Sequence, residues 1–593
     1  MSFALLEDRR PGALSHYYHG KAKSVICRDA LQLPGCLEEI ECLRQAGAAL
    51  VGFISYEMAY ALDPSILSKP ISTNIPLLHF MTFEHHDLIE SKEVGALLEQ
   101  LQPKPGLTPL LSQLKLDMDW ETYERKLAQI KHYLREGETY QVNFTTHYHF
   151  DYQGNSIALY QQLRERQKVA YSALFHCDDY DIVSLSPELF FEKRGDTITA
   201  KPMKGTAPRT GNKTQDAQAI DWLTTGPKTL AENVIIVDLT RNDLSMIARP
   251  GSVNVPKLFE VESYSTVHQM TSTVEAGLPE NISFVELLKA IFPCGSITGA
   301  PKKRTLQIIH ELEQEPRGVY TGAIGYINPN NDMCFNVAIR TIMLQNGRGR
   351  LGVGGGIVYD SDAREEYEEI QLKARFLTQL DPGFELIECL LYHSECDFRY
   401  LREHLDRLAH SAKSFSFICP RAAIEQSLQR KAHELLRDRP YKIKITLQKN
   451  GHFTIDCQVV SLPDQPVKIG LHSHPVIQSQ DQLWRHKTTS SATRGQYDKL
   501  LMQAQSQGLY DVLVCNERGE VCEGCKTNVL IQREGRLYTP ALACGLLPGI
   551  LRARLLAELP VMEASITIQD IQSAQAIWVF NSVVGKLQAE LCL

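Results

Sequence analysis

The chain has 593 residues, 43% apolar and 22% charged, an ordinary composition for a water-soluble protein with room for several domain cores. Its 62 lysines and arginines against 70 acids leave a net charge of −8, so there is no broad basic field for a nucleic acid to follow. No apolar run is long enough to span a bilayer, and the opening Met1–Arg10 sets acids and arginines where a secretory signal needs apolar residues. The expectation is a cytoplasmic protein with no membrane or nucleic-acid partner.

In chain order, Gln102-Pro103-Lys104-Pro105-Gly106 reads as a weak break, so residues 1–115 are expected to form a lobe packed onto the residues after it. Helical periodicity runs from Trp120 to Leu134. Strand patterns then cover Asp181–Ser186, Leu189–Lys193 and Thr197–Ala200, with Arg194-Gly195-Asp196 as the turn between the last two. A hairpin returns its ends to one another, so Glu188 before it and Lys204 after it should be neighbours. A lysine at a turn is ordinarily solvated. One kept neutral by burial or by a base is a nucleophile, and Pro202 and Gly205 would fix a close backbone around Lys204.

Further on, Gly352-Val353-Gly354-Gly355-Gly356-Ile357-Val358 reads as a glycine-rich loop whose N–H groups can approach an anion. The helix predicted over Ala363–Leu377 carries Tyr367, Ile370, Ala374 and Leu377 as its apolar stripe. Glu366 and Glu369 share an adjoining face, which by itself reads as a solvated acidic surface. With Glu232 as a third carboxylate they would complete a magnesium site that holds a substrate carboxylate. The main boundary falls at Leu380-Asp381-Pro382-Gly383 and separates residues 116–380 from residues 384–593.

The second part carries Lys487 in Trp484-Arg485-His486-Lys487-Thr488, and Glu523 in Gly519-Glu520-Val521-Cys522-Glu523-Gly524. Leu547-Pro548-Gly549 opens a helix and offers the N–H groups of Ile550 and Leu551 to a phosphate, while Arg407 adds a cation. A lysine, an acid for a pyridine nitrogen and a phosphate seat are what a pyridoxal phosphate enzyme requires. The 15 cysteines are scattered and read as small buried hydrophobes. Cys522-x-x-Cys525 has no second pair at ligand spacing for zinc.

Several ordered motifs in the first part resemble the chorismate-utilising enzymes over residues 120–378. They are Ser186-Pro187-Glu188-Leu189-Phe190, Pro202-Met203-Lys204-Gly205-Thr206, Asp238–Leu244, Phe292–Lys302, Arg317–Gly322, Ala338–Thr341 and the acidic helix. The resemblance implies an α+β fold of sheets flanked by helices, with chorismate bound in the 116–380 domain. Anthranilate synthases usually carry alanine where this chain has Lys204, whereas the aminodeoxychorismate synthases carry lysine. By that likeness Lys204 is the nucleophile, Glu188 the general acid and base, and His268 an active-site histidine. Glu232, Glu366 and Glu369 match the magnesium site, directly or through water. Gly205, Thr298, Tyr320, Arg340 and Gly356 match positions that hold the substrate carboxylates. No Gly-x-Cys-x-Gly nucleophile turn is present, so ammonia is expected from a separate glutamine amidotransferase subunit.

The order Arg407, Lys487, Glu523, Asn528, Gly549 resembles the class IV pyridoxal phosphate enzymes, a two-subdomain α/β fold. That likeness makes Lys487 the cofactor lysine and Glu523 the partner of the pyridine nitrogen. Arg407, Ile550, Leu551 and Ser582 become cofactor-binding residues, and the likeness also admits a homodimer through this half. Fusion to a chorismate-aminating half favours elimination to 4-aminobenzoate and pyruvate. An aminotransferase of other specificity and a non-catalytic scaffolding module stay open. Phe580-Asn581-Ser582-Val583-Val584-Gly585 departs from that family in one position, since many members have arginine where Val584 stands.

Overall fold

A computed structural model describes residues 2–10, 12–67, 75–102, 109–263, 267–436 and 439–592. The expected break at Pro103–Gly106 lies outside the described residues. The chain divides into two compact units: Met1–Leu110 with Leu114–Leu380, and Leu111–Gln113 with Asp381–Leu593.

In the first unit, the strands of the described residues join in one 18-stranded sheet. The N-terminal strands belong to this same sheet. Strand Phe3–Asp8 pairs antiparallel with both Leu14–Cys27 and Tyr171–His176, and Leu50–Ile54 pairs with Ala323–Ile327. Long-range pairing thus weaves the N-terminal strands into the later sheet. Their shared core holds Tyr18, Phe53, Phe175, Ile182 and Ile324, all buried.

The hairpin Leu189–Arg194 and Thr197–Ala200 forms with Thr197 opposite Arg194, and its apolar residues Leu189, Phe190, Phe191 and Ile198 are buried. Strand Met203–Pro208 comes next and pairs with Val267–Gly277. The glycine-rich segment is not a loop but the end of a strand, Arg348–Ile357, paired along its length with Gln141–Gln153. Its other neighbour, Thr341–Gln345, reaches only to Leu351, so within the sheet the glycines pair on one side only.

The acidic helix spans Ala363–Thr378, capped by the Asp362 carboxylate, which accepts from the N–H groups of Arg364 and Glu365. Ile370, Ala374 and Leu377 are buried, and half-buried Tyr367 donates its hydroxyl to Met118 O. A second helix, Trp120–Arg135, is capped by Asp119 in the same way.

The second unit has a four-stranded and an eight-stranded sheet. In the smaller, Tyr441–Leu447 alternates buried Ile443, Ile445 and Leu447 with half-exposed Lys442 and Lys444, the period of a strand with one dry face. The larger packs Val467, Ile469, Leu513, Val529 and Val579 into one core and Trp484, Tyr497, Cys522 and Cys525 into another. Both CxxC cysteines are free, and burial pushes their thiols up, so they are apolar filling. Among the described residues no helix is long and apolar enough to cross a membrane.

Candidate active sites

Glu188 lies immediately before the hairpin, and Lys204 is the second residue of the strand after it. Each lies within the electrostatic reach of the other. Glu188 is 4% exposed, and burial pushes its carboxyl up to about 7 against the opposing effects of the Ser296 hydroxyl and the Lys204 amine. Ser296 Oγ donates to Glu188 Oε1 at 2.6 Å, and the Ser296 carbonyl lies 3.4 Å from Lys204 Nζ. Ser296 therefore touches both groups, a role that its place in the Gly295-Ser296-Ile297-Thr298 run signalled only faintly.

Lys204 titrates below an ordinary lysine because burial disfavours its charge, while Glu232 and Glu188 act the other way and Lys373 adds to the depression. Two nearby glycines are held to that residue type by close approach, and one of them, Gly356, faces the amine. A Cβ on Gly205, at φ 84°, would lie 2.4 Å from Thr229 Cγ2. One on Gly356 would lie 3.1 Å from Lys204 Nζ and 2.9 Å from Gln141 Nε2. The buried Gln141 amide forms no hydrogen bond. It is a polar group beside the lysine that the sequence did not single out.

The other expected substrate contacts lie in the same unit. Thr298 is fully buried and donates to Cys294 O at 3.0 Å. Tyr320 is buried against Gly352, where a Cβ would lie 2.1 Å from its ring. Arg340, at φ 50°, donates to Gln167 Oε1 and forms no ion pair among the described residues. Burial pulls its guanidinium down, which marks a cation lacking an anion. His268 is buried, bonded through Nδ1 to Ser263 Oγ at 2.8 Å and 3.7 Å from Asp216.

The carboxylates expected to share a metal occupy different settings. Glu366 turns inward, accepting from Ser361 Oγ at 2.7 Å beneath Gly355, whereas Glu369 is exposed and pairs with Lys373 at 2.8 Å. Lys373 also donates to Gly354 O. Among the described residues, Glu232, Glu366 and Glu369 do not bring ligand oxygens within 4.8 Å of one another. Direct ligation by all three is therefore not formed. Only Asp117, His149 and Glu315 close to that distance among the described residues, and Arg350 stands 3.7 Å from Glu315.

A cavity of about 910 Å³ is lined by Pro187, Leu189, Lys201 and Met203, the sequence neighbours of Glu188 and Lys204.

In the second unit, helix Ile550–Glu558 starts after Gly549 with no side-chain cap. The first helical bond runs from Ala553 N to Gly549 O, so the N–H groups of Ile550 and Leu551 have no partner within the helix. A Cβ on Gly549 would lie 1.9 Å from Asn528 Oδ1. That close approach requires glycine. Asn528 Nδ2 donates to Glu523 Oε2 at 3.1 Å, and Tyr497 donates to Glu523 Oε1 at 2.9 Å. Burial pushes the Glu523 carboxyl up to about 8, with Arg407 opposing.

Arg407 donates to Glu388 through Nε at 2.7 Å and Nη2 at 2.8 Å, and through Nη1 to Pro548 O at 3.1 Å. His404 Nδ1 lies 2.8 Å from Glu388 Oε2. The Lys487 carbonyl accepts from Ile387 N at 2.9 Å, and its amine lies within electrostatic reach of His404. Glu388, His404 and Tyr497 are site residues that sequence reasoning missed. Asn581 Oδ1 accepts from the N–H groups of Val583 and Val584, fixing the turn that carries Ser582. Val584 packs against the Val467 and Ile469 core rather than presenting a polar group.

Residues 10–379 match the chorismate binding enzyme family, and residues 384–592 match amino-transferase class IV. The chain is 41% identical over 283 residues to aminodeoxychorismate synthase component 1 of Klebsiella aerogenes, covering 48% of this chain and 63% of that relative. It is 38% identical over 304 residues to the protein of the same name from Escherichia coli K12, covering 51% of this chain and 67% of the relative. The chain thus spans about two thirds or less of these relatives. The crystal structure of anthranilate synthase component I from Streptococcus pneumoniae TIGR4 superposes with a TM-score of 0.53 at 28% identity, covering 62% of this chain and 93% of that one.

Proposed function

The chain belongs to the chorismate binding enzyme family through residues 10–379, and on that premise we propose a bifunctional enzyme that converts chorismate to 4-aminobenzoate. The observation that carries the reading is the pair of half-buried Lys204 and buried Glu188, joined through Ser296. Burial lowers the Lys204 pKa and so favours its neutral, nucleophilic form, and a carboxyl near 7 exchanges protons at working pH. Lys204 Nζ bonds to C2 of chorismate as the C4 hydroxyl leaves with a proton from Glu188. Ammonia then bonds to C4, the C2–N bond breaks, and Glu188 takes back a proton, so water is the only by-product.

Arg340 would take a substrate carboxylate. Glu366, Glu369 and Glu232 would hold a magnesium ion through water, and the ion would supply positive charge for a second carboxylate. Ammonia comes from a glutamine amidotransferase subunit.

In the second unit the residues fit pyridoxal phosphate, which the class IV match implies. Lys487 has no ion-pair partner among the described residues, the Ile550–Glu558 helix is uncapped, and Glu523 is a buried acid. When bound, the cofactor supplies an electron sink for cleaving the product of the first unit into 4-aminobenzoate and pyruvate. Lys487 would be the residue that holds the cofactor and would carry protons at its amine. Glu523 would hold the pyridine nitrogen, and Arg407, Ile550, Leu551 and Ser582 would hold the phosphate.

The test is a product assay with chorismate, ammonia, Mg2+ and pyridoxal phosphate. The intact chain yields 4-aminobenzoate with pyruvate. Lys204→Ala loses both by roughly 10³-fold or more, and Lys487→Ala accumulates aminodeoxychorismate without pyruvate. Formation of 2-aminobenzoate would overturn amination at C4. Aminodeoxychorismate without pyruvate from the unaltered chain would overturn the elimination half in favour of the aminotransferase or scaffold reading.

A further inference from the structure

Glu388 is 1% exposed and both of its oxygens are engaged, with Arg407 on each and His404 Nδ1 on Oε2. A guanidinium has five N–H donors. Two go to Glu388 and one to the Pro548 carbonyl, which leaves two, one on each terminal nitrogen. Pro548 immediately precedes Gly549 and the uncapped helix, so the remaining donors of Arg407 and the free N–H groups of Ile550 and Leu551 belong to one seat. The strand Leu386–His393 that carries Glu388 also binds the backbone of Lys487, through the adjacent residue Ile387.

Two consecutive strand residues therefore fix the two ends of the cofactor site. Ile387 locates the lysine and Glu388 locates the arginine. A buried ion pair is a poor device for stability, since apolar replacements often serve as well, but a bidentate pair fixes the plane and position of a guanidinium. His404 is fully buried, and its Nδ1 contact holds the Glu388 carboxylate in turn. We propose that Glu388, oriented by His404, is a positioning residue that aims the remaining donors of Arg407 at the phosphate seat beside the start of the Ile550–Glu558 helix. The inference rests on the reading of this unit as a pyridoxal phosphate enzyme.

The test titrates cofactor-stripped full-length protein with pyridoxal phosphate and with pyridoxal, which lacks the phosphate. Dissociation constants come from the absorbance of the lysine-bound chromophore. Stronger binding of pyridoxal phosphate than of pyridoxal by the unaltered chain checks the cofactor reading by itself. Glu388→Gln, close in volume, is expected to weaken pyridoxal phosphate by about tenfold or more and pyridoxal by less than about twofold. Equal weakening of both ligands, or of neither, overturns the proposal. Should Glu388→Gln fail to fold, Glu388→Asp decides. Its shorter carboxylate keeps the charge but loses one of the two guanidinium contacts, and the same selective loss of phosphate-dependent affinity is required.

Discussion

Ser296 ties the acid to the nucleophile, and its effect on each can be separated. Its hydroxyl favours the ionised form of Glu188, and burial opposes it. Ser296→Ala removes the donor while leaving the carbonyl near Lys204, so the Glu188 carboxyl moves further up from about 7. Below its pKa the carboxyl is protonated and able to expel the C4 hydroxyl. Above it, the group is a base. The limb of the kcat/KM profile for chorismate that lies near pH 7 should shift upward by roughly half to one pH unit in Ser296→Ala and vanish in Glu188→Gln. A limb that stays in place in both variants would remove Glu188 from proton transfer.

The glycine strand Arg348–Ile357 shows how an element can serve by what it lacks. A methyl group on Gly356 would press on both Lys204 Nζ and Gln141 Nε2. Gly356→Ala should cost roughly tenfold or more in kcat for chorismate amination while leaving cleavage of supplied aminodeoxychorismate unchanged, since the second unit is untouched. Unaltered amination would show that the amine has slack. The sequence marked this segment as glycine-rich but not as a strand, because glycines carry no side-chain pattern and the pairing partner Gln141–Gln153 is some 200 residues away. The hairpin Leu189–Ala200 and the acidic helix were legible because their signals are local, a period of two with a turn and a period of 3.6 with a cap. Glu366 and Glu369 looked equivalent one turn apart. Only packing beneath Gly355 distinguishes the buried one from the one paired with Lys373. Glu388, His404 and Tyr497 left no local trace, since each acts across a tertiary contact.

At the scale of the molecule, the proposed reading gives each unit its own covalent lysine, its own buried carboxylic acid and its own anion seat. Mixing full-length Lys204→Ala with full-length Lys487→Ala should therefore restore 4-aminobenzoate, measured by fluorescence, because each variant retains one intact unit. A mixture that stays silent while each variant performs its half-reaction would mean that the intermediate is not released. Full-length variants are needed because Leu111–Gln113 belong with the second unit, so cleavage near Asp381 does not yield that unit whole. Glu388 also shapes how that unit is loaded. Its carboxylate cancels the charge of Arg407, and the whole chain bears −8. On the proposed reading, capture of an anionic cofactor would then depend on directed N–H donors acting at contact rather than on a free charge, so the seat would discriminate by shape.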